Sequence, residues 1–573
     1  MPIVDSVIEG PPKGPYDVAV VGSGAAALLA ACHAHDLGAS VVVLEKTNFL
    51  GGTSAMSGGA LWIPNNGLMA EAGIEDSEQE AFAYLRSVIP AGQVADHTLL
   101  TYLRTAPRMV EYLQSIGVPY HPVALYRDYY PAVPGWKQGG RTMDCEPLDG
   151  RRLGRHLDLL RQGPPASRFL SRINLSITEV AAIQAVVPGW RSLALGALLR
   201  YGSDLIGRFR GSRDRRLCLG EALVGRLLLA ALARDIPVHI KAPVSELLLD
   251  TEGRVGGVSV EDPAGSQHAV TARRAVVVAS GGFERSPTLR GQHLAQPTHP
   301  DWSAGSPGNT GDMLRAAEQV GAATALMGEA WWAPVVMWKG QPIVLFFEKS
   351  KPGLMIVDQR GQRFMNESIT YNSYGRCIYG QDYQRSDRVP AYVIFDRIYR
   401  ERYLFGGLLQ ASLSPDWLNP GAFGEGAMLR KAPTLRALAS ELGIDADGLE
   451  ATANRLGNFA RSGIDLDFGR GADAHDRQYG DASVQPNPCL GPIEKPPFYG
   501  APLYPGDIGT KGGLCIDDDA RVLDERGLAI PGLFAAGNCS ASIMGDTYPG
   551  AGCTLGPALT MAYRASHAAM QPA

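Results

Sequence analysis

The 573-residue sequence lacks the features that define several large classes of proteins. Its eight cysteines are scattered without any C-x-x-C pair, so neither a zinc site nor a disulfide framework is predicted. No run of about 18 uninterrupted apolar residues occurs, which argues against a membrane-spanning helix. Residues 1–15 do not combine a basic start with an apolar run, which argues against a secretory signal. These absences favour a protein of the reducing cytoplasm.

Positive charge is not in excess either, because 53 lysines and arginines face 58 acidic residues and leave a net charge of -5. A general nucleic-acid binder needs a positive field, so DNA and RNA are not expected partners. Glycine is abundant, with 68 residues, and indicates many turns and close backbone approaches. The length predicts at least two domains, since single hydrophobic cores stop growing near roughly 250 to 300 residues.

One segment departs from this charge balance. Residues 151–216 hold 13 arginines against four acids, a net charge of +9 that leaves -14 on the rest of the chain. We predict a helical basic insertion here and consider two roles for it. Its apolar and basic residues allow it to lie on the inner face of a membrane as a peripheral contact. Alternatively, it is a solvated insertion whose arginine stems pack on the core.

A βαβ unit begins at Tyr16, where a short apolar strand runs into a glycine-rich turn, a small-residue helix and a second strand that ends at Leu44. In this pattern the first glycine permits the tight turn, and the second lets the backbone approach a pyrophosphate at the helix N-terminus. A carboxylate after the second strand accepts hydrogen bonds from ribose hydroxyls. NAD and FAD both satisfy the pattern. Its predicted cofactor residues are Gly22, Ser23, Gly24, Ala25, Ala26, Glu45 and Lys46.

The next loop, from Gly51 to Gly59, is rich in glycine and hydroxyl groups. With the strand near Val276 and the C-terminal block, it resembles the fumarate reductase and succinate dehydrogenase flavoprotein superfamily. The resemblance implies FAD, and a C-terminal helix whose N-terminus faces the pyrimidine end of the flavin. Covalent members carry a histidine at a position where this sequence has none, so we expect non-covalent binding. The further cofactor residues implied are Gly52, Thr53, Ser54, Gly58, Gly59, Val244, Gly281, Gly537, Asn538, Thr554 and Leu555.

Three strands that end in glycine, near residues 21, 279 and 536, predict one sheet assembled from separated parts. The fold class is α/β, α+β overall, with a discontinuous Rossmann-like FAD-binding domain in residues 1–285 and 495–573. Residues 286–494 form an inserted substrate (cap) domain, with a helical segment near 434–461. Residues 244–249 and 254–260 predict a hairpin, which we expect in a small sheet of its own beside the FAD-binding domain.

Four further segments stand out: Asp128-Tyr129-Tyr130-Pro131, Arg363 to Ser368 followed by Tyr371, Gly506 to Gly513, and Gly537 to Gly552. Through these segments the sequence resembles, within the superfamily, the 3-ketosteroid Δ1-dehydrogenases, from Tyr16 to Ala565 except in the basic insertion. A tyrosine followed by Pro-Gly-x-Gly just before the flavin-facing helix is the most specific of these features. The resemblance implies desaturation of a ketosteroid between C1 and C2.

Removal of two hydrogens beside a ketone needs a polarised carbonyl oxygen and a base. By the resemblance, the Tyr548 hydroxyl and the Gly552 amide bind the oxygen, and Tyr371 takes the C2 proton as a phenolate while flavin N5 accepts the C1 hydride. A phenolate near neutral pH requires a pKa depressed by about two to three units from the usual value near 10. Tyr129 is the candidate second phenol that donates to Tyr371, and the adjacent Tyr130 is the alternative.

Other functions remain open at this point. A Δ4-(5α)-ketosteroid dehydrogenase or a desaturase of a smaller cyclic ketone would use the same chemistry. A fumarate-reductase-like enzyme would need a histidine-threonine pair before Gly512, where Gly509-Thr510 stands instead. A flavin-binding protein without catalysis would leave the tyrosine pattern unexplained. Because no second dinucleotide fingerprint occurs, a quinone or a carrier protein is the expected electron acceptor.

Overall fold

The computed structural model describes residues 7–164, 168–170, 172–184, 189–380 and 386–571. The strands, in chain order, are β1 Val7–Glu9, β2 Tyr16–Val21, β3 Val41–Leu44, β4 Leu61–Trp62, β5 Tyr120–Pro122, β6 Thr142–Cys145, β7 Leu148–Asp149, β8 Arg216–Leu217, β9 Val238–Ile240, β10 Val244–Leu249, β11 Val255–Glu261, β12 Gln267–Val278, β13 Thr324–Ala325, β14 Ala330–Trp338, β15 Gln341–Val344, β16 Leu354–Val357, β17 Ala391–Asp396, β18 Arg430–Ala432, β19 Phe498–Thr510, β20 Gly513–Leu514, β21 Arg521–Leu523 and β22 Ala529–Ala535.

Helices form many of the connections between these strands. The α-helices, in chain order, are α1 Ala25–Asp36, α2 Gly52–Met56, α3 Gly67–Glu71, α4 Glu78–Val88, α5 Asp96–Ser115, α6 Ile177–Gln184, α7 Trp190–Ser203, α8 Leu205–Arg210, α9 Leu219–Leu232, α10 Pro287–His293, α11 Asp312–Gln319, α12 Tyr374–Tyr379, α13 Arg397–Arg402, α14 Leu435–Leu442, α15 Ala446–Ser462, α16 Ala474–Gln478 and α17 Leu555–Met570. Among the described helices, none combines the length and apolar character needed to cross a bilayer.

The main sheet has the order β1-β9-β3-β2-β12-β11-β10, and β22 and β21 join it beside β12. Strands β2, β3, β12 and β22 run parallel, with Val18 opposite Val41 and Val276 opposite both Ala19 and Leu533. Because parallel strands end at the same edge, their terminal glycines meet there. The prediction of one sheet built from separated parts of the chain is confirmed.

The hairpin between β10 and β11 forms as predicted, but the prediction of a small separate sheet was wrong. Strand β12 is 12 residues long. Its first half pairs with β11, and its second half lies between β2 and β22. Because β12 pairs with β11 as well as with β2 and β22, the hairpin of β10 and β11 is part of the main sheet.

Helix α1 begins directly after the turn at Gly22 and is almost wholly buried because alanines make up half of its 12 residues. Small side chains let it lie close to the sheet on one side and to α17 on the other. Helix α17 is also buried along most of its length, and Thr554 precedes its first residue. The N-termini of both helices therefore face the edge where the parallel strands end.

A second sheet, in the order β15-β14-β19-β17-β16 with β18 beside β19, forms the other half of the molecule. Strand β19 is its centre and pairs antiparallel with both β14 and β17. By pairing, β19 therefore belongs to the sheet of the 286–494 segment although it follows that segment. The boundary between 494 and 495 stays a prediction. The helical segment near 434–461 is divided into α14 and α15 at Gly443, which ends α14 with a φ of 71°.

The basic insertion is helical where the structure describes it, with a 3₁₀ segment over Gly150–Leu159 and the helices α6, α7 and α8. It has a small core of its own around Ile173, Leu175 and Ala197. Four of its 13 arginines form ion pairs, Arg215 with Asp204 and Arg216 with Glu179 inside the insertion, and Arg168 and Arg213 with Glu221 of α9. Part of its positive charge is therefore neutralised locally.

Candidate active site

A continuous cavity of about 1410 Å³ has both the glycine turn after β2 and a cluster of tyrosines in its wall. Ligand pockets usually measure roughly 300 to 1,000 Å³. This cavity therefore has room for a large cofactor together with a second molecule. The two sets of predicted residues, for cofactor and for catalysis, meet in one space.

The turn at Gly22 brings the backbone close to a neighbouring strand end. Gly22 has a φ of +108°, and a Cβ placed on it would lie 2.4 Å from the carbonyl oxygen of Ala279. The next residue orients the expected ribose-binding carboxylate, since Ser23 Oγ donates to Glu45 Oε2 at 2.5 Å. The Thr47 amide donates to the other oxygen of Glu45 at 2.8 Å. The carboxylate is thus fixed at the cavity wall before any ligand binds.

Nearly all of the predicted cofactor residues line this cavity. The exception is Ala25, whose side chain is buried in the core and whose amide donates to Ser54 Oγ at 3.1 Å. Lys46 lines the cavity but is held by Asp312, with 2.6 Å between Nζ and Oδ2. The residues that line it are Gly22, Ser23, Gly24, Ala26, Glu45, Lys46, Gly52, Thr53, Ser54, Gly58, Gly59, Val244, Gly281, Gly537, Asn538, Thr554 and Leu555.

Sequence reasoning missed a second glycine-rich loop, residues 305–311, which closes over the first. The Ser306 amide and Asn309 Nδ2 both donate to Thr53 Oγ1, at 2.8 and 3.0 Å. Asn309 also donates to Glu284 Oε1 at 2.6 Å. Three glycines and two hydroxyl residues in this stretch were the available signal.

These residues fit FAD. The α1 N-terminus supplies backbone amides for a pyrophosphate, and Glu45 supplies a carboxylate for a ribose. The loop over 51–59 adopts a conformation that needs glycine, since Gly59 has a φ of +67° and its Cβ would lie 2.4 Å from the carbonyl carbon of Leu219. The positive end of α17, beginning at Leu555, lies at the same cavity and suits a negatively charged group.

Three of the predicted catalytic residues form one aromatic cluster in the cavity wall. The ring of Tyr371 lies 5.4 Å from that of Tyr548 and 6.0 Å from that of Tyr129, measured between centroids. The rings of Tyr129 and Tyr548 are stacked at 5.6 Å. The hydroxyl of Tyr129 donates to Tyr371, and the hydroxyl of Tyr371 donates to Tyr548. The phenols therefore form a directional chain.

The adjacent tyrosine, Tyr130, has different partners. Its side chain hydrogen-bonds with Thr370 and with the backbone of Tyr548. Its amide donates to the Tyr84 hydroxyl at 3.3 Å. Of the two neighbouring tyrosines, Tyr129 is the one whose hydroxyl reaches Tyr371.

The expected depression of the Tyr371 pKa is not found. Burial raises the pKa of Tyr371 well above its usual value, the Tyr548 hydroxyl raises it further, and the hydrogen bond from Tyr129 lowers it only in part. Burial also raises the pKa of Tyr129 well above its usual value. The physical reason is that phenols, rather than cations, surround the Tyr371 oxygen. In this arrangement Tyr371 is a neutral phenol at pH 7.

The segment from Tyr548 to Gly552 is tightly fixed. The carbonyl oxygen of Pro549 accepts hydrogen bonds from the Tyr84 hydroxyl at 2.6 Å and from the Tyr129 amide at 2.9 Å. Gly552 has a φ of +99°, and a Cβ there would lie 2.4 Å from the carbonyl carbon of Leu61. The Gly552 amide donates to the Tyr548 hydroxyl oxygen, so the two groups lie within hydrogen-bond distance of each other at the cavity wall.

Tyr129 is held in place by its neighbour in sequence. Asp128 is buried and accepts from Arg141 Nη1 and from Trp62 Nε1, both at 2.7 Å. Arg141 also pairs with Asp76 at 2.7 Å between Nη2 and Oδ1. Burial raises the pKa of Asp128 to about 6 although Arg141 and the Trp62 hydrogen bond lower it. This network fixes the backbone from which Tyr129 projects.

Two further residues belong to the cavity wall, of which His475 was not predicted, whereas Phe346 was considered from sequence both as a wall residue of an apolar cleft and as part of an aromatic core. His475 lies edge-on to Tyr129 with 5.0 Å between ring centroids, and burial lowers the pKa of its imidazole to about 3. Phe346 contacts Tyr371 edge-on at 4.9 Å. An uncharged imidazole and a phenyl ring next to the phenols make this part of the wall suited to an apolar substrate.

Comparisons with known proteins agree with this site. The family model described as "FAD binding domain" matches residues 17–555. The 3-oxosteroid 1-dehydrogenase of Mycobacterium tuberculosis is 38% identical over 570 residues, which cover 96% of this chain and 97% of that protein. The 4-oxocyclohexanecarboxylate 2-dehydrogenase of Sinomonas cyclohexanicum is also 38% identical, covering 97% of this chain and 93% of that protein.

A solved structure shows the same architecture. The 3-ketosteroid Δ1-dehydrogenase of Sterolibacterium denitrificans, in complex with 1,4-androstadiene-3,17-dione, superposes with a TM-score of 0.92 at 42% identity. The superposition covers 97% of this chain and 100% of the Sterolibacterium denitrificans chain. The chain therefore belongs to the 3-ketosteroid Δ1-dehydrogenase family of FAD-dependent oxidoreductases.

Proposed function

We propose that this protein removes one hydrogen each from C1 and C2 of a 3-keto-4-ene steroid and releases the 1,4-diene. The observation that carries the proposal is the meeting of Tyr371, Tyr548 and the Gly552 amide in the cavity that the FAD-binding loops also line. The names of the Mycobacterium tuberculosis and Sterolibacterium denitrificans relatives support the substrate class.

The ketone oxygen of the substrate binds between the Tyr548 hydroxyl and the Gly552 amide in this proposal. Two donors at one point stabilise the negative charge that develops on oxygen when the neighbouring carbon loses a proton. The Gly552 amide donates to the Tyr548 hydroxyl in the structure, so in this proposal the amide exchanges that contact for one with the ketone oxygen.

The C2 proton goes to the oxygen of Tyr371. Because the Tyr371 pKa is raised, only a small fraction of Tyr371 is a phenolate, but that phenolate is a strong base. Burial destabilises the phenolate, and the hydrogen bond from Tyr129 stabilises it. The electrons left at C2 form the new double bond as hydrogen leaves C1 with its electron pair. Tyr130 supports the loop of Tyr548 in this scheme and takes no part in the proton transfer.

FAD, when bound, supplies the two-electron acceptor for the hydrogen that leaves C1. The residues that would hold it are the glycine turn, Glu45, the loops over 51–59 and 305–311, and the N-terminus of α17. We propose that it is bound without a covalent link, because the loop over 51–59 contains no histidine. A quinone or a carrier protein is the proposed acceptor of the electrons afterwards.

Product analysis tests this proposal directly. The purified protein is incubated with 4-androstene-3,17-dione and an artificial electron acceptor, and the product is identified by mass and by its 1,4-diene absorbance. We expect the wild type to form the diene and Tyr548→Phe to form it far more slowly with FAD still bound. A wild-type protein that leaves the steroid unchanged would refute the proposal.

A smaller cyclic ketone is the second candidate substrate, because the Sinomonas cyclohexanicum relative is as similar as the steroid enzymes. The cavity volume and the apolar wall near Phe346 favour the larger, uncharged molecule. The ratio of kcat/KM for 4-androstene-3,17-dione to that for 4-oxocyclohexanecarboxylate separates the two. A ratio below one would assign the smaller substrate.

We also propose that the basic insertion docks the protein on a lipid bilayer next to the cavity. Leu170, Leu195 and Leu198 of the insertion line the cavity and are also exposed to solvent. Leu404 and Leu413, from a distant part of the chain, share both properties. An apolar rim around a cavity for an apolar substrate suits a surface from which that substrate enters.

The neighbouring surface extends this rim. Leu199, Ile206 and Phe209 are 64%, 64% and 92% exposed. Four of the 13 arginines of the insertion are held in ion pairs, and in this proposal the exposed apolar side chains add a hydrophobic contact to the attraction of its positive charge. A cytoplasmic protein with such a surface would lie on the inner face of the membrane.

Sedimentation with phosphatidylcholine vesicles tests the docking. The wild type is compared with a Leu199→Ser/Ile206→Ser/Phe209→Ser variant, and Leu466→Ser is the control because Leu466 is equally exposed, at 76%, outside the insertion. We expect only the triple variant to stay in the supernatant. Equal partitioning of all three proteins would refute the proposal.

A further inference from the structure

Two lysine side chains are buried next to the tyrosine cluster, and the chemistry described so far does not use them. Lys349 is 2% exposed and Lys511 is 1% exposed. Lys511 is the first residue after β19, and Lys349 lies in a short 3₁₀ turn over Glu348–Ser350. Burial of an amine is unfavourable unless its N–H groups find acceptors, so the partners of these lysines indicate their role.

Lys511 binds the backbone immediately before Tyr548. Its Nζ donates to the carbonyl oxygens of Asp546 and Thr547, at 2.7 and 2.9 Å. Both carbonyls lie within two residues of the tyrosine. One amine therefore fixes two consecutive peptide groups from which the Tyr548 ring projects.

Trp331 completes this contact. Its ring lies 4.6 Å from Lys511 Nζ, and its edge meets the ring of Tyr548 with 5.1 Å between centroids. The indole is held in turn by a hydrogen bond from its Nε1 to Asn538 Oδ1 at 3.2 Å. Lys511 thus reaches Tyr548 both through the backbone and through a packed side chain.

Lys349 has the same relation to the other tyrosine. Its Nζ donates to the carbonyl oxygen of Glu367 at 2.9 Å and to that of Ile369. Ile369 is two residues before Tyr371. The carboxylate of Glu367 is occupied by Arg363 and Arg470, so Lys349 contacts only the backbone of that residue in the described part of the chain.

We propose that Lys349 and Lys511 are positioning residues that hold Tyr371 and Tyr548 at the distance and angle that the reaction requires. The carbonyl groups that the two lysines bind lie in segments 367–369 and 546–547, which are neither helix nor strand. The lysine N–H groups therefore take the place of the backbone donors that a helix or strand would supply. Burial lowers the pKa of Lys349 to about 8. The proposal does not depend on the charge, because a neutral amine still donates two hydrogen bonds.

This inference rests on the proposed roles of the two tyrosines, and its consequence is that the two lysines affect different parts of the reaction. Loss of the Lys349 donors lets Tyr371 move, which slows removal of the C2 proton. It leaves the hydrogen bonds to the ketone oxygen intact, so steroid binding is not weakened. Loss of the Lys511 donors frees one of the two ketone donors, which weakens steroid binding and slows the reaction. A displacement of about 1 Å at a reacting group costs about 100-fold in rate.

Lys349→Met and Lys511→Met test the inference, since methionine keeps the length and removes the donors. Lys431→Met is the control, because Lys431 is exposed and pairs with Asp416, and neither residue lines the cavity. The measurements are kcat, KM, the dissociation constant of 1,4-androstadiene-3,17-dione, and exchange of the C2 hydrogen for deuterium with the flavin reduced. The last measurement reports proton removal alone. FAD content and thermal stability are recorded for each variant.

We expect C2 exchange to slow by about 100-fold in Lys349→Met with an unchanged dissociation constant. In Lys511→Met we expect both slower exchange and weaker binding. If a methionine variant does not retain FAD, the glutamine variant of the same lysine is measured instead. Because glutamine keeps an N–H donor, its exchange of the C2 hydrogen should be slowed by less than about 100-fold relative to the wild type. Wild-type exchange in FAD-loaded Lys349→Met and Lys511→Met would overturn the inference. Unchanged activity of Tyr371→Phe and Tyr548→Phe would instead overturn the proposed function on which it rests.

Discussion

Tyr371 lies between two other phenols, and the two contacts move its pKa in opposite directions. The hydroxyl of Tyr548 accepts a hydrogen bond from Tyr371 and raises its pKa, whereas the hydroxyl of Tyr129 donates a hydrogen bond to Tyr371 and lowers its pKa. Burial outweighs both and leaves the pKa well above the usual value. The resemblance to ketosteroid dehydrogenases placed these residues, but the sign of the pKa shift depends on burial, which sequence does not reveal.

Replacement of Tyr371 by phenylalanine tests its role as the base. We expect turnover of 4-androstene-3,17-dione to fall by about 10² to 10⁴, the usual contribution of a general base, with FAD content unchanged. Tyr374→Phe is the matched control, since Tyr374 is buried three residues away and its hydroxyl is without a described hydrogen bond. Near-normal turnover of Tyr371→Phe would exclude Tyr371 as the base.

The pH dependence of the reaction follows from the direction of the Tyr371 shift. Because its pKa is raised, the fraction of anion keeps growing with pH, and kcat/KM should rise up to about pH 10. Tyr129→Phe removes the hydrogen bond that lowers this pKa, so the same rate should be reached only at a higher pH. A plateau near neutral pH in the wild type would show that the pKa is depressed after all.

Gly552 is fixed by its backbone conformation and by its contacts. Its φ is +99°, and only 2.4 Å would separate a Cβ at this position from the Leu61 carbonyl carbon, so there is no room for a side chain. Gly552→Ala should cost about 1 to 3 kcal/mol of unfolding free energy and lower kcat/KM for the ketosteroid. Thermal denaturation and steady-state kinetics measure both effects. Gly291→Ala, inside helix α10 with open space around the position, should leave kcat/KM unchanged and should not lower the unfolding free energy.

At the scale of elements, the sequence predicted the βαβ unit and the discontinuous sheet because their signals are local. A strand that ends in glycine and a helix of small residues follow directly from residues 16–37. The extension of the sheet by β10 and β11 was not predictable in the same way. This extension depends on the length of β12, which pairs with β11, β2 and β22. The choice of pairing partners leaves no pattern in the local sequence.

The loop over 305–311 shows a similar limit. Its glycines were visible, but its contact with Thr53 crosses about half the chain and arises only from the fold. Sequence therefore identified one of the two loops that form the cofactor wall. The segments on which the resemblance was based included the first loop and not the second.

Thr53 links these two loops, and a substitution there tests the link. Thr53→Val leaves the Ser306 amide and the Asn309 side chain without their shared acceptor, which should weaken FAD binding by about 1 to 3 kcal/mol. Thr53→Ser keeps the hydroxyl and should bind FAD like the wild type. Flavin fluorescence on dilution measures both affinities. Equal affinities of the valine and serine variants would show that the link does not support the cofactor.

At the scale of the whole molecule, the cavity joins parts of the chain that are remote in sequence. The FAD-binding loops, the second sheet, the C-terminal tyrosine segment and the basic insertion all contribute to its wall. Sequence suggested two roles for the insertion, on a membrane or against the core. The structure places several of its apolar residues at the cavity and pairs four of its 13 arginines with carboxylates, and neither its position nor these pairs followed from composition.

The central claim is that this molecule takes electrons from a 3-ketosteroid. Its most direct test is anaerobic mixing of the FAD-loaded protein with 4-androstene-3,17-dione while the absorbance of the oxidised flavin is followed, and mixing of the dithionite-reduced protein with fumarate in parallel. We predict bleaching by the steroid, with formation of the 1,4-diene, and no reoxidation by fumarate. Reoxidation by fumarate together with an unbleached flavin in the presence of the steroid would contradict the account.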